Sequence, residues 1–156
     1  MNTLGGPKPE DTEAFHREAE AQVHTLRYEK PEQASKYKVK DLVWLVRRPL
    51  LRVLVQIVRE GGENNLHYHT KSETSWIVLK GRAVFVGMGD TVLADIGPME
   101  GIHIPGGARY KFYKEGEEDL EILQIVAAED GGREKDERIN YEPHKEWMID
   151  EHLQKY

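Results

Sequence analysis

A chain of 156 residues with 38% hydrophobic and 32% charged side chains carries enough apolar material for one domain with a core of its own. Its 28 acidic side chains outnumber 22 basic ones, and a net charge of −6 argues against a nucleic-acid binder or a polybasic membrane-surface protein. With no cysteine, disulfides, thiolate nucleophiles, zinc fingers and iron–sulfur clusters are excluded together. The longest apolar stretch, Leu50 to Val58, is broken by Arg52 and Gln56 and is too short to span a bilayer. The opening MNTLGGPKPEDTE lacks a basic region followed by an apolar run. The expectation is a cytoplasmic protein with neither a nucleic-acid nor a membrane partner.

The first forty residues are polar. Asp11 or Thr12 can cap a helix, Glu13 adds charge near its amino end, and Pro31 stops it. Phe15, Val23 and Leu26 line up with Ala19 as a thin apolar stripe. This predicts a helical arm over about residues 10–30, lying on the outside of the body or against a second subunit. His16 and His24 on this arm read as solvated or capping side chains.

From Asp41 the texture changes. LVWLV, LLRVLVQIV, SWIVLKGRAVFVGM, DTVLADI, GIHIP, ARYKFY and DLEILQIVA are β-branched and aromatic runs separated by Gly, Pro, Asn and Asp. Short strands joined by turns, with no helical pattern between them, predict an all-β sandwich or barrel over about 40–128. Trp44 and Trp76 fall in strands as core or pocket wall, and Gly87-Met88-Gly89-Asp90 reads as a hairpin turn. Arg47 and Arg48, ahead of Pro49, suit a solvated strand end better than the bidentate grip on a substrate carboxylate that they could also supply. After Ala128 the strand signal stops. The charged tail, 129–156, offers one amphipathic helix from Pro143 to Leu153, docked by Trp147, with His144 and His152 solvated. The whole reads as a single domain with a helical arm at each end.

No serine sits in a nucleophile elbow, and no phosphate-binding glycine loop is present. One segment stands out: Gly61-Gly62-Glu63-Asn64-Asn65-Leu66-His67-Tyr68-His69-Thr70-Lys71-Ser72-Glu73. On a strand, His67 and His69 project to the same face, close enough to share one metal ion. Glu73, past a bend at Thr70–Ser72, can add a carboxylate. Two imidazoles and a carboxylate form the facial set of non-heme Fe(II), and the same set holds Mn, Ni, Co or Zn. Two histidines at this spacing on an edge strand are also often merely solvated.

The run Gly61, His67, His69, Glu73 resembles the first motif of the cupin superfamily, and Val78–Val86 looks like the strand–glycine–strand that closes it. The resemblance spans about residues 42–128. It implies a jelly-roll β-barrel with a metal held inside by these His and Glu positions. Gly81 comes one residue late, so counting back from it puts the carboxylate slot at Thr74; a bulge near Lys71–Ser72 reconciles the counts. The second cupin motif is degraded: Pro105 and Gly107 fit, but the glycine and asparagine positions fall on Met99 and Lys114, and the metal-binding histidine falls on Tyr110. Three readings stand open. Tyr110 occupies the ligand slot as phenolate, proton relay or filler; His103 supplies the missing imidazole, although its parity with Ile102 and Ile104 points it outward; or metal binding is weak or absent.

The resulting expectation is a metal-dependent, dioxygenase-like cupin enzyme acting on a small organic acid or aromatic compound. It carries one divalent ion, Fe(II) favoured, on His67, His69, Glu73 and His103, with Tyr110 as proton donor or substrate-orienting group. The alternatives are a non-catalytic small-molecule-binding cupin and a non-redox lyase or isomerase using Zn or Ni. The partner is a small molecule, and a homodimer is expected because cupins commonly pair through their sheets.

Overall fold

A computed structural model describes residues 6, 8–32, 39–129 and 135–145. One helix, α1 (Glu13–Glu20), precedes ten strands: β1 (Lys40–Arg47), β2 (Leu51–Val58), β3 (His67–His69), β4 (Ser72–Lys80), β5 (Arg82–Val86), β6 (Val92–Ile96), β7 (Gly101–Ile104), β8 (Lys111–Glu115), β9 (Leu120–Ala128) and β10 (Arg138–Asn140). They form a five-stranded sheet ordered β1-β2-β9-β4-β7, a three-stranded sheet ordered β6-β5-β8, and a β10-β3 pair. Every pairing is antiparallel. Each predicted run is a strand here. The fold is an all-β jelly roll.

The core lies between the two larger sheets. Val58, Trp76, Val78, Ile104, Leu120 and Ile122 from the first pack on Ala83, Phe85, Ile96 and Phe112 from the second. Trp76 centres this contact, its ring 4.9 Å from Phe112 and 5.9 Å from Phe85. Burying an aromatic side chain of this size contributes about 2 kcal/mol or more. The β5–β6 connection turns through Met88–Asp90 with Gly89 at φ 63°, as the glycine spacing predicted.

Three expectations need correction. The arm is helical only over Glu13–Glu20, capped by Thr12, whose Oγ1 accepts from Phe15 N–H at 3.2 Å. Beyond it the chain runs irregularly because the sheet offers partners. Arg48 donates to Gln22, the Tyr28 hydroxyl donates to Glu121, and Lys30 donates to Asp119 at 3.2 Å. The irregularity in β4 lies between Val78 and Lys80 rather than near Lys71–Ser72. Finally, the strand signal does not end at Ala128: β10 follows and pairs with β3. The expected tail helix, with Trp147, lies mostly outside the described residues, of which 143–145 are irregular.

Candidate functional site

The inner face of the five-stranded sheet follows from its register. Lys40, Leu54, Val58, Thr74, Trp76, Val78, Ile104, Leu120 and Ile122 are buried there, and Arg52, Gln56 and Gln124 share their parity. Polar side chains therefore run across the inside of an otherwise apolar sheet. Gln56 Nε2 donates to Gln124 Oε1 at 2.7 Å.

β3 closes one end of this interior. A two-way backbone bridge holds it to the second sheet: His67 N–H donates to Tyr110 C=O at 3.1 Å, and Tyr110 N–H to His67 C=O at 2.9 Å. The loop before it is fixed by buried asparagines. Asn64 Oδ1 accepts from Phe112 N–H at 2.8 Å, while Asn65 Nδ2 donates to Asn140 and to Glu142 C=O. Arg138, opposite His69 in the β10 register, donates to Asn65 Oδ1.

His67 and His69 lie side by side as expected, ring centroids 5.3 Å apart and nearly perpendicular. Tyr110 is buried with its ring 4.7 Å from His67. His67 Nδ1 bonds Asn65 C=O at 2.7 Å, which makes Nδ1 the protonated nitrogen. Burial, the Arg138 charge, His69 and Lys40 hold its pKa at about 3, against the pull of the Asn65 carbonyl. His67 is thus neutral at pH 7. His69 Nδ1 lies 3.0 Å from Asp136 Oδ2, which also accepts from Ser72 Oγ at 3.0 Å, while Oδ1 accepts from Lys71 N–H at 2.8 Å. Burial pushes the Asp136 carboxyl up, but the bonds from His69, Lys71 and Ser72 outweigh it and keep the group below its ordinary value.

Glu73 and His103 do not join this group. Glu73 has the opposite parity to Thr74 and Trp76, so it faces outward, where Glu73 Oε2 meets His103 Nε2 at 3.3 Å. His103 Nδ1 is 3.0 Å from Ser75 Oγ on the same outer face, and the Glu73 and His103 side chains are 61% and 53% exposed. The shift between Val78 and Lys80 sits between Glu73 and Gly81 and accounts for the extra residue in the motif. The inward slot is Thr74, as the count from Gly81 had it.

The donor set does not suit a three-ligand metal centre. Among the described residues no three His, Asp or Glu side chains converge. The cations Arg138 and Lys40 that disfavour protonation of His67 also disfavour a dication beside it. What the residues do form is a histidine–aspartate pair, a neutral imidazole and a phenol around one end of a barrel. Asp136 is the member that motif reading missed.

A cleft of about 450 Å³ opens elsewhere, lined by Arg59, Glu63, Val92, Lys111 and Lys114. Lys111 pairs there with Glu142 and Asp90, Lys114 with Glu60, and Arg59 with Asp41 and Asp119. No helix among the described residues is long and apolar enough to cross a membrane.

No protein-family model and no curated protein sequence matches the chain. Solved structures do. A Klebsiella pneumoniae protein described as having a double-stranded β-helix domain is 18% identical, with a TM-score of 0.55 over 71% of this chain and 90% of that one. An RmlC-like cupin from Desulfovibrio desulfuricans is also 18% identical, with a TM-score of 0.52 over 66% of this chain and 97% of that one. A Streptomyces Pac13 variant solved with uridine is 17% identical, with a TM-score of 0.53 over 76% of this chain and 91% of that one; Pac13 is described as a nucleoside dehydratase. At these identities the likeness is one of fold, and it agrees with the motif around His67 and His69: the chain has the cupin fold, a double-stranded β-helix.

Proposed function

We propose that the barrel binds a small, oxygen-rich anion and moves a proton on it, as a lyase or isomerase that needs no resident metal. The observation that carries this reading is the 3.0 Å pairing of His69 Nδ1 with Asp136 Oδ2. Such a pairing fixes the imidazole, leaves Nε2 to take a proton, and steadies the imidazolium that forms. The base accepts a proton from a carbon acidified by a neighbouring carbonyl. Tyr110, next to His67, is the donor for the developing oxyanion or the leaving group. Arg138 beside His69 and Arg52 on the inner face favour an anion. The dioxygenase-like expectation placed Glu73 and His103 beside His67 and His69, but both side chains lie on the outer face. Pac13, described as a nucleoside dehydratase, has the same fold, so nucleosides and their monophosphates belong in the first panel.

The test is hydrogen–deuterium exchange at carbon. The full chain, treated with EDTA, is incubated in D2O with keto acids, sugar phosphates and nucleoside monophosphates and followed by NMR. Enzyme-dependent exchange or elimination with at least one compound, abolished in His69→Ala and reduced about 100-fold or more in Asp136→Asn, is the expected result. Exchange that appears only when Fe(II), Mn(II), Ni(II) or Zn(II) is restored overturns the metal-free reading. Binding without any exchange favours the non-catalytic alternative.

A further inference from the structure

On the outer face of the five-stranded sheet, β4 and β7 bring together a hydroxyl, an imidazole and a carboxylate. Ser75 lies directly opposite His103 in the β4–β7 register, and Glu73, two residues earlier on β4, shares its face. Ser75 Oγ is 3.0 Å from His103 Nδ1, and His103 Nε2 is 3.3 Å from Glu73 Oε2. A carboxylate can only accept, so in the neutral ring Nε2 carries the proton and Nδ1 is left to accept from the serine hydroxyl. A nucleophile within hydrogen-bond reach of a base, itself oriented by a third group, is the arrangement that activates a serine.

The surroundings suit a substrate with an apolar acyl group. β7 is an edge strand of the sheet, and His103 on it is more than half exposed, so a ligand reaches the imidazole from solvent. On the other side of Ser75 lies Ile125, opposite it on β9, and Ile77 is the next outward residue of β4; both are half-buried. Gly101 stands opposite Ile77 on β7 and is exposed. Having no side chain, it leaves the apolar shelf at Ile77 open toward the sheet edge.

We infer that this cluster is a second reactive centre, outside the barrel, that hydrolyses carboxylic esters with a short apolar acyl group. Ser75 is the nucleophile, His103 its base, and Glu73 the residue that positions the imidazole. Ser75 Oγ bonds to the ester carbonyl carbon while its proton passes to His103 Nδ1. The carbon–oxygen bond to the alcohol then breaks, the proton leaves with the alcohol, and the acyl group stays on Oγ. Water attacks that acyl group by the same route, releasing the carboxylic acid and restoring the serine. Ester and water become acid and alcohol, and no oxidant or cofactor enters. The centre shares no residue with the His69–Asp136 pair, so neither reading depends on the other.

The experiment offers the full chain p-nitrophenyl butyrate and follows nitrophenolate release. A second sample is treated with diethyl p-nitrophenyl phosphate, whose phosphoryl group stays on the nucleophile, and the labelled residue is mapped by peptide mass spectrometry. Ser75→Ala and His103→Ala are each expected to lose about tenfold or more of the release rate at unchanged melting temperature, and the label is expected on Ser75. Free imidazole added to His103→Ala is expected to restore labelling of Ser75, which a merely structural role for His103 would not allow. Glu73→Gln is expected to lower kcat and leave KM unchanged. His24→Ala, which removes an exposed imidazole from the amino-terminal arm, is expected to release nitrophenolate as the native chain does. No release attributable to the protein, undiminished release in Ser75→Ala, or a label found only on other residues overturns the inference. So does a loss of rate that tracks a loss of melting temperature.

Discussion

Asp136 meets His69 across 67 positions of sequence, its Oδ2 3.0 Å from the imidazole Nδ1. The same carboxylate ties down the start of β4 through Lys71 N–H and Ser72 Oγ, so one side chain both orients the His69 imidazole and anchors the strand that carries Thr74 and Trp76. Asp136→Ala is expected to lower stability by about 2 kcal/mol at pH 7 in urea denaturation. Because the folded state holds the carboxyl below its ordinary value of 3.8, this contribution is present above that value. It is lost as pH falls through the lower folded one, and the gap between native and variant should close there.

His67 titrates in a different window. Its pKa is about 3 when folded and 6.5 when unfolded, so below pH 6.5 the unfolded chain takes up a proton that the folded chain refuses. Stability attributable to His67 is complete above pH 6.5 and declines toward pH 3. His67→Gln should flatten the fall between pH 6.5 and 4. Nitrogen-15 NMR of the native protein should show a neutral Nδ1–H ring at pH 5.

Lys40 is fully buried, with its Nζ 5.5 Å from the centre of the Phe112 ring. Burial and the Arg138 charge lower its pKa to about 7, opposed by Glu63. Between pH 7 and 10.5 the unfolded chain is protonated where the folded one is not, so this group's contribution to stability grows with pH. Lys40→Met is expected to raise the melting temperature by several degrees at pH 6–7, an advantage that shrinks by pH 10.

Gly81 turns the chain from β4 into β5 at φ 84°, and a Cβ there would lie 2.8 Å from Asp119 C=O. Gly81→Ala should therefore cost about 2 kcal/mol or more in urea denaturation, since neither the backbone angle nor the contact can be relieved cheaply.

Glu73→Ala and His103→Ala are expected to leave binding and exchange unchanged and to shift stability by less than about 1 kcal/mol, as for any exposed ion pair. A tenfold loss of activity in either variant would return these residues to the site.

Much of this architecture was legible in the residues. Alternation and β-branching marked the strands of both large sheets, and the spacing of His67 and His69 put them on one face. What escaped was governed by long-range pairing. β10 is three residues in a charged stretch, too short for alternation to register, and it is a strand only because β3 is there to receive it. Asp136 carries no motif, and only its approach to Lys71 and His69 in space reveals it. Glu73 was the chemically sensible ligand, yet it faces outward; the late Gly81 betrayed the extra residue, but nothing in the sequence placed the register shift between Val78 and Lys80. The clearest available signal was the placement of Arg52, Gln56 and Gln124 within otherwise apolar runs. A polar side chain at an inward parity is either a cost or a binding surface.

The pairing of β3 with β10 has a consequence for timing. The two imidazoles ride on a three-residue strand, held on one side by another three-residue strand and on the other by the His67–Tyr110 bridge and the Gly107 N–H bond to His69 C=O. The eight- and nine-residue ladders of β2, β4 and β9 are far more extensive. Short two-stranded pairings open at low free-energy cost, well before the sheets that surround them. The end that carries His67 and His69 is therefore expected to open more readily than the central ladders. On the proposed reading, a ligand held by His69 and Tyr110 would stitch that end to the second sheet, slowing amide exchange at Arg138–Asn140 as it binds.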